Sequence, residues 1–385
     1  MRKLLLILVT LPLLAALGWW YFHARDLPSY GPSYREYAYV ANGRSNTVTV
    51  IDLTTFRTAG TIRVGTEPTG VAANHKKNEI YVVNTGSNNV SIIDAEKNVV
   101  AATIGVHGAP YFIDVSEDGK RAYVANSGSA NISVLDLDRR MVIANIRVGG
   151  APGLAKVSPD GRTVVVSNRG DGSISLIDGE LLRLRTTIPA CEQPEDIAIL
   201  PDNSKAFVAC SGSNQVASID LKNDKLLALL DVGKSPVNLA LKPDGGELMV
   251  SNFDSDNISI IETTTNEVGG SYLVGTHPAR AIITADNSRL YVSNFGSNTV
   301  AVYDIDLGKV IATVPVGSHP DGLALSQSQN YLLVLNSASG DMTVIQKRKP
   351  TKLEPSEYSL LTMIPLGEQP NNIVVKAFIL GKPRK

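Results

Sequence analysis

The tetrapeptide Tyr39-Val40-Ala41-Asn42 returns as Tyr81-Val82-Val83-Asn84 and again as Tyr123-Val124-Ala125-Asn126. Each copy begins 42 residues after the one before, and five further copies, with substitutions, begin at Val165, Phe207, Met249, Tyr291 and Leu333. A proline keeps the same period, at Pro68, Pro110, Pro152, Pro194, Pro236, Pro278 and Pro320, with Pro370 following after a step of 50. A fixed period near 40 residues is the sequence signature of a repeat fold.

Each period divides into four short apolar segments separated by turn residues. After the proline comes an alternating segment such as Val237–Leu241, followed by a Pro-Asp-Gly turn of the kind at Pro243–Gly245. The Tyr-Val-x-Asn segment is second, and segments such as Val90–Asp94 and Val310–Val314 are third and fourth. Because Pro fixes φ and Gly accepts the tight position, these turns join consecutive strands. Four strands in a period of this length are typical of a β-propeller blade.

The two ends of the repeat predict how the ring closes. The first repeat segment, which holds Tyr39, is the second strand of a blade, whereas the last segment, Pro370–Phe378, is a first strand. The last strand therefore completes the blade that the N-terminal strands begin, which removes free sheet edges that promote aggregation. The sequence predicts an all-β protein, a closed β-propeller of eight four-stranded blades, with seven blades as the alternative.

The repeat also sets the domain boundaries. The propeller is expected over residues 37–379, interrupted by eight inserted residues within a polar stretch at 347–357. A spacer over 26–36 precedes the propeller, and a basic tail over 380–385 follows it. The repeated Asn and Asp, such as Asn42 and Asp52, are expected to close turns by bonding to their own backbone.

Residues 1–25 have the composition of an export signal. Arg2 and Lys3 precede an uncharged apolar run, Leu4–Phe22, with Trp19 and Trp20 near its far end. A run of this length is either a cleaved signal peptide or a retained membrane anchor, and indole rings favour the membrane interface. The sequence leaves both alternatives open. Each places the propeller in the periplasm or outside the cell, and a retained segment would tether it to the inner membrane.

Two cysteines, Cys191 and Cys210, are the only thiols of the chain. An exported protein folds where disulfides form. By its position in the repeat, Cys191 precedes the first strand of a blade, and Cys210 replaces the repeated Asn at the end of the second strand of that blade. Both cysteines are therefore expected on the same face of one blade. The spacing does not decide whether they are bridged, since Cys191 must fold back to reach its partner.

The Tyr-Val-x-Asn strand, the Val-Gly-x-x-Pro link at Val64–Pro68 and Val274–Pro278, and the pattern Ser-Asn-x-Val-x-Val-Ile-Asp at Ser45–Asp52 resemble the YVTN-repeat β-propellers. The resemblance covers nearly the whole chain after the spacer. It implies an extracytoplasmic binding or surface protein, in a family whose well-known members have seven blades. The number of blades counted here, eight, is also the number in the haem d1-binding propellers of cytochrome cd1 nitrite reductase, which this chain resembles more distantly. Lactonase-type propellers are another related group. No catalytic motif of either group is matched, so no catalytic residue is assigned.

Function in a propeller is expected at the mouth of the central channel, on the face where the links between blades and the second-to-third-strand turns lie. A residue on this face that differs from its equivalents in the other blades is not required by the blade structure. Such residues are therefore the candidates for ligand binding. His277 and His319, for example, precede the link proline in adjacent blades, where other blades carry Glu, Ala or Ser. The candidates are His107, Arg169, Asp196, Phe253, His277, Arg280, Phe295, His319 and Asp321.

These candidates supply imidazoles, guanidinium groups, carboxylates and aromatic rings around one opening. Guanidinium groups form charge-assisted bonds to anions, and aromatic rings interact favourably with cations and flat ligands. An anionic, planar ligand is therefore expected at the mouth. The structural alternatives are that both histidines are solvated loop residues produced by blade duplication and that both phenylalanines pack against the protein.

Other classes of function have little support in the sequence. The net charge of −1 argues against binding to phosphate backbones, and the basic residues of the insert and tail lack the interleaved aromatics of single-strand binders, so nucleic acid is not the expected partner. No His-x-x-x-His or Cys-rich spacing predicts a metal site, and no Gly-rich phosphate loop or Gly-x-Ser-x-Gly motif is present.

The leading interpretation is an extracytoplasmic binding or scaffold protein without catalysis, whose ligand is a small molecule or a protein held at the channel mouth. The alternative is a redox-associated or cofactor-handling propeller that binds a tetrapyrrole at the same place. A lactonase-like hydrolase is the third hypothesis. The sequence does not identify the cofactor or the partner.

Overall fold

The computed structural model describes residues 31–350 and 356–381. Within these ranges, 32 strands form eight separate four-stranded antiparallel sheets. The predicted signal or anchor segment lies outside the described residues, as do the centre of the insert and residues 382–385 of the tail. None of the described residues belongs to a helix long and apolar enough to cross a bilayer.

The strands follow one another around the ring, four to a blade, and are numbered in chain order. Blade 1 contains β1 (Tyr34–Asn42), β2 (Thr47–Asp52) and β3 (Arg57–Arg63). Blade 2 contains β4 (Pro68–Ala73), β5 (Glu79–Asn84), β6 (Asn89–Asp94) and β7 (Val99–Gly105). Blade 3 contains β8 (Pro110–Val115), β9 (Arg121–Asn126), β10 (Asn131–Asp136) and β11 (Met141–Arg147). Blade 4 contains β12 (Pro152–Val157), β13 (Thr163–Asn168), β14 (Ser173–Asp178) and β15 (Arg183–Pro189).

The second half of the ring repeats this arrangement. Blade 5 contains β16 (Pro194–Ile199), β17 (Lys205–Cys210), β18 (Gln215–Asp220) and β19 (Lys225–Asp231). Blade 6 contains β20 (Pro236–Leu241), β21 (Glu247–Asn252), a 3-10 turn (Phe253–Ser255), β22 (Asn257–Glu262) and β23 (Glu267–Leu273). Blade 7 contains β24 (Pro278–Ile283), β25 (Arg289–Asn294), β26 (Thr299–Asp304) and β27 (Lys309–Pro315). Blade 8 contains β28 (Pro320–Leu325), β29 (Tyr331–Asn336), β30 (Asp341–Lys347) and β31 (Tyr358–Pro365), and the chain returns to blade 1 as β32 (Pro370–Ile379).

The ring closes through the pairing of β32 with β1. The strand order of blade 1 is β3-β2-β1-β32, and the pairing extends from Tyr34 opposite Ile379 to Asn42 opposite Pro370. The prediction of eight blades closed by the last strand is confirmed. The first strand begins at Tyr34, three residues before the predicted boundary, because β32 is longer than the other inner strands and pairs with these extra residues.

Apolar side chains fill the spaces between neighbouring blades. The described residues contain eight buried clusters, each formed by side chains of two adjacent blades. Val83 and Ile92 of blade 2, for instance, pack with Ile113 and Val124 of blade 3. A blade therefore buries its apolar faces only when both neighbours are present, which is the usual condition for stability in repeat folds.

The repeated Asp and Asn have different roles, and the expectation for Asn was wrong. Asp94 does close a turn, since its carboxylate accepts hydrogen bonds from the backbone N–H groups of Glu96 and Lys97 at 2.9 and 3.2 Å. The Asn side chains instead reach across to the next strand. The Nδ2 of Asn84 donates to Asn89 and Ser91, at 2.8 and 2.9 Å. These buried amides tie the second strand to the third at the mouth end of the blade.

Blade 5 departs from this amide pattern because Cys210 takes the place of the Asn. The structure joins Cys210 to Cys191 in a disulfide, with 5.8 Å between their Cα atoms, and leaves no free cysteine. Seven residues beyond Cys210, where most blades carry a Ser or Thr that accepts the Asn amide, stands Ala217. The covalent bond thus replaces a hydrogen-bonded contact in this blade.

Replacing Cys191 by Ala should lower the free energy of unfolding by about 3 kcal/mol, because the bridge restricts the unfolded chain over a short loop. Urea denaturation of the variant and of reduced wild-type protein should give the same lowered midpoint. Labelling of free thiols in denatured, unreduced wild-type protein checks the bridge itself. Two reactive thiols per chain would contradict it.

Candidate functional site

The mouth face of the ring is formed by two kinds of loop in every blade. The link that leads into a blade and the turn between that blade's second and third strands lie side by side and are hydrogen-bonded. The N–H of Phe295 donates to the carbonyl of His277 at 2.9 Å, and the N–H of Ser337 donates to that of His319 at 3.0 Å. β30 ends and β31 begins on the far face, so the described ends of the insert lie on the side of the ring opposite the mouth.

The residue before the link proline has the same backbone conformation in all eight blades. Its φ is between 46° and 55° at Glu67, Ala109, Ala151, Gln193, Ser235, His277, His319 and Gln369. The N–H of His277 donates to the carboxylate of Asp256, and that of His319 to the amide oxygen of Asn298, both at 2.9 Å. The repeat thus fixes the backbone at this position and leaves the side chain free to differ between blades.

Each inner strand contains a bulge at the residue after the link proline, close to the mouth. In blade 7, Pro278 pairs with Asn294 and Arg280 with Ser293, so the residue between is unpaired. Such bulges commonly redirect a side chain at a functional edge. In blade 8 the bulged residue is Asp321. Blade 5 is more irregular, since its register leaves both Glu195 and Asp196 unpaired.

Four rings from blades 6 to 8 form an unbroken aromatic row along the mouth. The imidazole of His277 stacks on Phe253, with ring centres 4.6 Å apart and planes 11° from parallel. His319 stacks on Phe295 at 4.3 Å and 17°. The two phenylalanine rings lie 5.9 Å apart, tilted by 53°. The row therefore runs His277, Phe253, Phe295, His319, so each phenylalanine packs against a histidine of this row rather than within a core cluster.

Two ion pairs hold the guanidinium groups of the mouth. Arg169 Nη2 lies 2.8 Å from Glu195 Oε1, and Arg280 Nε lies 3.8 Å from Asp321 Oδ1. Burial raises the pKa of the Glu195 carboxyl above its ordinary value, while Arg169, a hydrogen bond from Ser211 and the more distant Arg280 partly oppose this rise. Both arginines therefore act on the same carboxyl group. The side chains of Arg169 and Arg280 remain 43% and 45% exposed, so an anion has access to each.

Asp196 and His107 are placed apart from this group. Asp196 Oδ2 accepts hydrogen bonds from Asn238 Nδ2 at 2.7 Å and from the N–H of Leu239 at 3.0 Å, and thereby joins the inner strands of blades 5 and 6. Asp196 thus has a structural role between blades. His107 lies in the link between blades 2 and 3, on the opposite side of the ring, with Nδ1 at 2.7 Å from Asn131 Nδ2.

The mouth face also contains residues that the sequence did not single out. A cavity of about 650 Å³ beside His319 is lined by Arg44, Ser337, Glu368 and neighbouring backbone of blades 8 and 1. Glu195, which pairs with Arg169, was likewise missed. Its signal in the sequence was weak, because the position after the link proline already varies freely between blades.

The described residues contain no group of three or more His, Cys, Asp or Glu side chains able to hold a metal ion. The described residues therefore offer no metal site built only from protein side chains. A metal held in a macrocycle would draw its protein ligands from single imidazole, thiolate or similar side chains, and the imidazoles of His277 and His319 are of this type. The chemistry available at the mouth is therefore anion binding, stacking and imidazole coordination.

Comparison with known proteins places the chain among propellers. Residues 74–204 match the model of the cytochrome D1 heme domain, and residues 262–359 match that of the 7-bladed lactonase β-propellers. No curated protein matches the sequence significantly.

Solved structures with a similar fold are numerous. Hydrazine synthase of Kuenenia stuttgartiensis is 23% identical with a TM-score of 0.58, covering 69% of this chain and 91% of its own. The dihydro-heme d1 dehydrogenase NirN, solved in complex with DHE, is 13% identical with a TM-score of 0.73, covering 88% and 74%. A functionally unknown protein of Desulfotomaculum acetoxidans is 15% identical with a TM-score of 0.60, covering 88% and 98%. At these identities the likeness establishes the fold alone.

Proposed function

We propose that this protein binds a carboxylate-bearing tetrapyrrole of the haem d1 class at its channel mouth, as a cofactor-handling or redox-associated propeller outside the cytoplasm. The observation that carries the proposal is that two accessible guanidinium groups, those of Arg169 and Arg280, and a row of stacked aromatic and imidazole rings lie on the same face of the ring. The partial match to the cytochrome D1 heme domain supports it, and that match includes Arg169 and Glu195.

The residues present fit the chemistry of such a ligand. A tetrapyrrole is flat, apolar on its faces and anionic at its edge. Arginine forms paired, charge-assisted hydrogen bonds with carboxylates, and aromatic rings favour flat partners in offset or stacked arrangements. Arg169 and Arg280 would hold the carboxylates, Phe253 and Phe295 would contact the apolar macrocycle, and an imidazole of His277 or His319 would ligate its metal. When bound, an iron tetrapyrrole supplies one-electron redox chemistry.

The acidic partners of the arginines have a positioning role in this proposal. Glu195 and Asp321 hold the guanidinium groups in place before a ligand binds and balance their charge. A carboxylate ligand would then compete with Glu195 and Asp321 for the guanidinium N–H groups. The broader interpretation, a binding scaffold without chemistry, shares the same site. The lactonase-type match covers repeat strands of blades 6 to 8, and we assign no hydrolytic residue there.

Titration with uroporphyrin III, which carries carboxylates on every pyrrole, tests the proposal. We expect saturable binding with a shift of the porphyrin absorbance band, weaker binding of protoporphyrin IX, and none of the fully esterified uroporphyrin. A protein that binds none of the three, or binds the ester as tightly as the acid, would contradict a carboxylate-reading site at the mouth.

The raised pKa of Glu195 should make uroporphyrin binding pH-dependent. Because burial raises this pKa, Glu195 becomes neutral at a higher pH than an ordinary glutamate as the solution is acidified. Protonation frees Arg169, so the affinity for uroporphyrin should rise as the pH falls through the pKa of Glu195. Glu195→Gln should show the higher affinity at neutral pH and lose this step. The exposed Glu67 offers a control, since Glu67→Gln should leave the profile unchanged, and an unchanged profile in Glu195→Gln as well would contradict the assignment.

The proposed extracytoplasmic location is supported by the disulfide, which is typical of oxidising compartments, and by the apolar run at residues 4–22. β1 starts at Tyr34 on the far face and reaches the mouth at Asn42. If residues 4–22 remain in a membrane, the tether therefore joins the propeller on the face opposite the ligand site and leaves the mouth accessible.

A further inference from the structure

The channel below the mouth contains a second cavity, of about 640 Å³, within the range of small-molecule sites. Its lining continues to the far-face turns at His75 and Pro243, which gives it an entry separate from the mouth. The fourth residue after the link proline lines it in six of the blades: Ala72, Asp114, Lys156, Ile282, Ala324 and Val374.

Two of these six side chains are charged, and they are neighbours in the ring. The ammonium of Lys156 lies 4.8 Å from the ring centre of Phe112, and none of the described carboxylates forms an ion pair with it. Asp114 Oδ2 accepts a hydrogen bond at 2.9 Å from the N–H of Val157, the residue that follows Lys156. The carboxylate of Asp114 and the ammonium of Lys156 thus belong to adjacent inner strands of the wall and do not pair with each other.

The wall on the other side of the cavity is apolar along its inner strands, with Ser326, Gln327 and Gln329 adding polar groups towards the far face. Ile282, Leu323 and Val374, from blades 7, 8 and 1, line it opposite the charged pair. A simple carboxylate entering the cavity would meet Asp114 as well as Lys156, and a simple amine would meet Lys156 as well as Asp114. Like charges repel at short range, so each single-charged ligand should bind more weakly than a ligand that carries both charges.

We propose that the channel binds a small zwitterion with an apolar body, namely an α-amino acid of about the size of leucine. Its carboxylate would pair with Lys156, its ammonium with Asp114, and its side chain would lie against Ile282, Leu323 and Val374. This site is independent of the tetrapyrrole proposed for the mouth, because it uses none of the same residues.

Equilibrium dialysis of the full-length protein with labelled L-leucine tests this assignment. 4-Methylpentanoate lacks the ammonium and 3-methylbutylamine lacks the carboxylate, so each should bind at least tenfold more weakly than leucine, as expected for the loss of one charged hydrogen bond. No leucine binding, or equal binding of 4-methylpentanoate, would overturn the proposal; the second outcome would identify a plain anion site.

Variants separate the two charges. Lys156→Met should weaken leucine binding by tenfold or more and leave 3-methylbutylamine binding unchanged or stronger. Asp114→Asn retains an oxygen that can accept the Val157 N–H, so the fold should persist while leucine binding falls and 4-methylpentanoate binding rises. Lys225→Met, on the exposed outer strand of blade 5, is the matched control. Wild-type affinity for leucine in Lys156→Met would refute the assignment, whatever the result for Asp114→Asn. Uroporphyrin binding should be unaffected in all three variants.

Discussion

Truncation of the chain after Leu366 should leave a protein that aggregates and shows no cooperative unfolding. The deletion removes β32, whose pairing with β1 closes blade 1 from Tyr34 to Asn42. It exposes the edge of β1 and opens both apolar clusters that blade 1 shares with its neighbours. Globular proteins are stable by only about 5–15 kcal/mol, and the loss of an inner strand exceeds that margin.

Size-exclusion chromatography and circular dichroism during heating are the measurements for this truncation. A chain that ends at Gly381 keeps β32 intact and serves as the control, with the elution volume and melting temperature of the full-length protein. A monomeric Leu366 truncation with unchanged melting would show that the ring does not depend on strand exchange between its ends.

Replacing both mouth arginines by glutamine should abolish measurable binding of uroporphyrin III. A hydrogen bond to a charged group contributes about 1.5–3 kcal/mol, so Arg169→Gln and Arg280→Gln should each weaken binding by roughly 10- to 100-fold, and the two effects should multiply if the arginines hold separate carboxylates. Glutamine keeps a donor for Glu195 and Asp321, so the fold should be retained.

Arg147→Gln provides the comparison for these two variants, because Arg147 is exposed on the same face but at the end of the outermost strand of blade 3, far from the channel. Its affinity for uroporphyrin should equal that of the wild type. Single variants with wild-type affinity, or an equal loss in Arg147→Gln, would mean that binding follows overall charge and not these two side chains.

The sequence predicted the fold in detail because each blade repeats the same pattern of strands and turns. The register of Tyr81-Val82-Val83-Asn84 and its copies places one strand, and the odd strand at Pro370 shows how the ring closes. The repeated Asn was harder to interpret. Its amide bonds to side chains five and seven residues further on, such as Asn89 and Ser91, and only the paired strands bring these groups within reach.

The candidate site was predicted in its composition and only partly in its geometry. Departures from the repeat led to Phe253, His277, Phe295 and His319, and the 42-residue period placed them in adjacent blades. Their stacking into one row depends on side-chain conformations that no spacing reveals. Glu195 escaped prediction because the residue after the link proline differs in every blade, so its carboxylate did not stand out as a departure from the repeat.

The absorbance spectrum of the full-length protein purified from its own host tests the central claim most directly. If the mouth holds a tetrapyrrole, the purified protein should show a Soret-region band, mass spectrometry of the extracted pigment should identify a carboxylate-bearing macrocycle, and the Arg169→Gln, Arg280→Gln double variant should lose the band while keeping its fold. Colourless wild-type protein that also fails to bind added uroporphyrin would contradict the account.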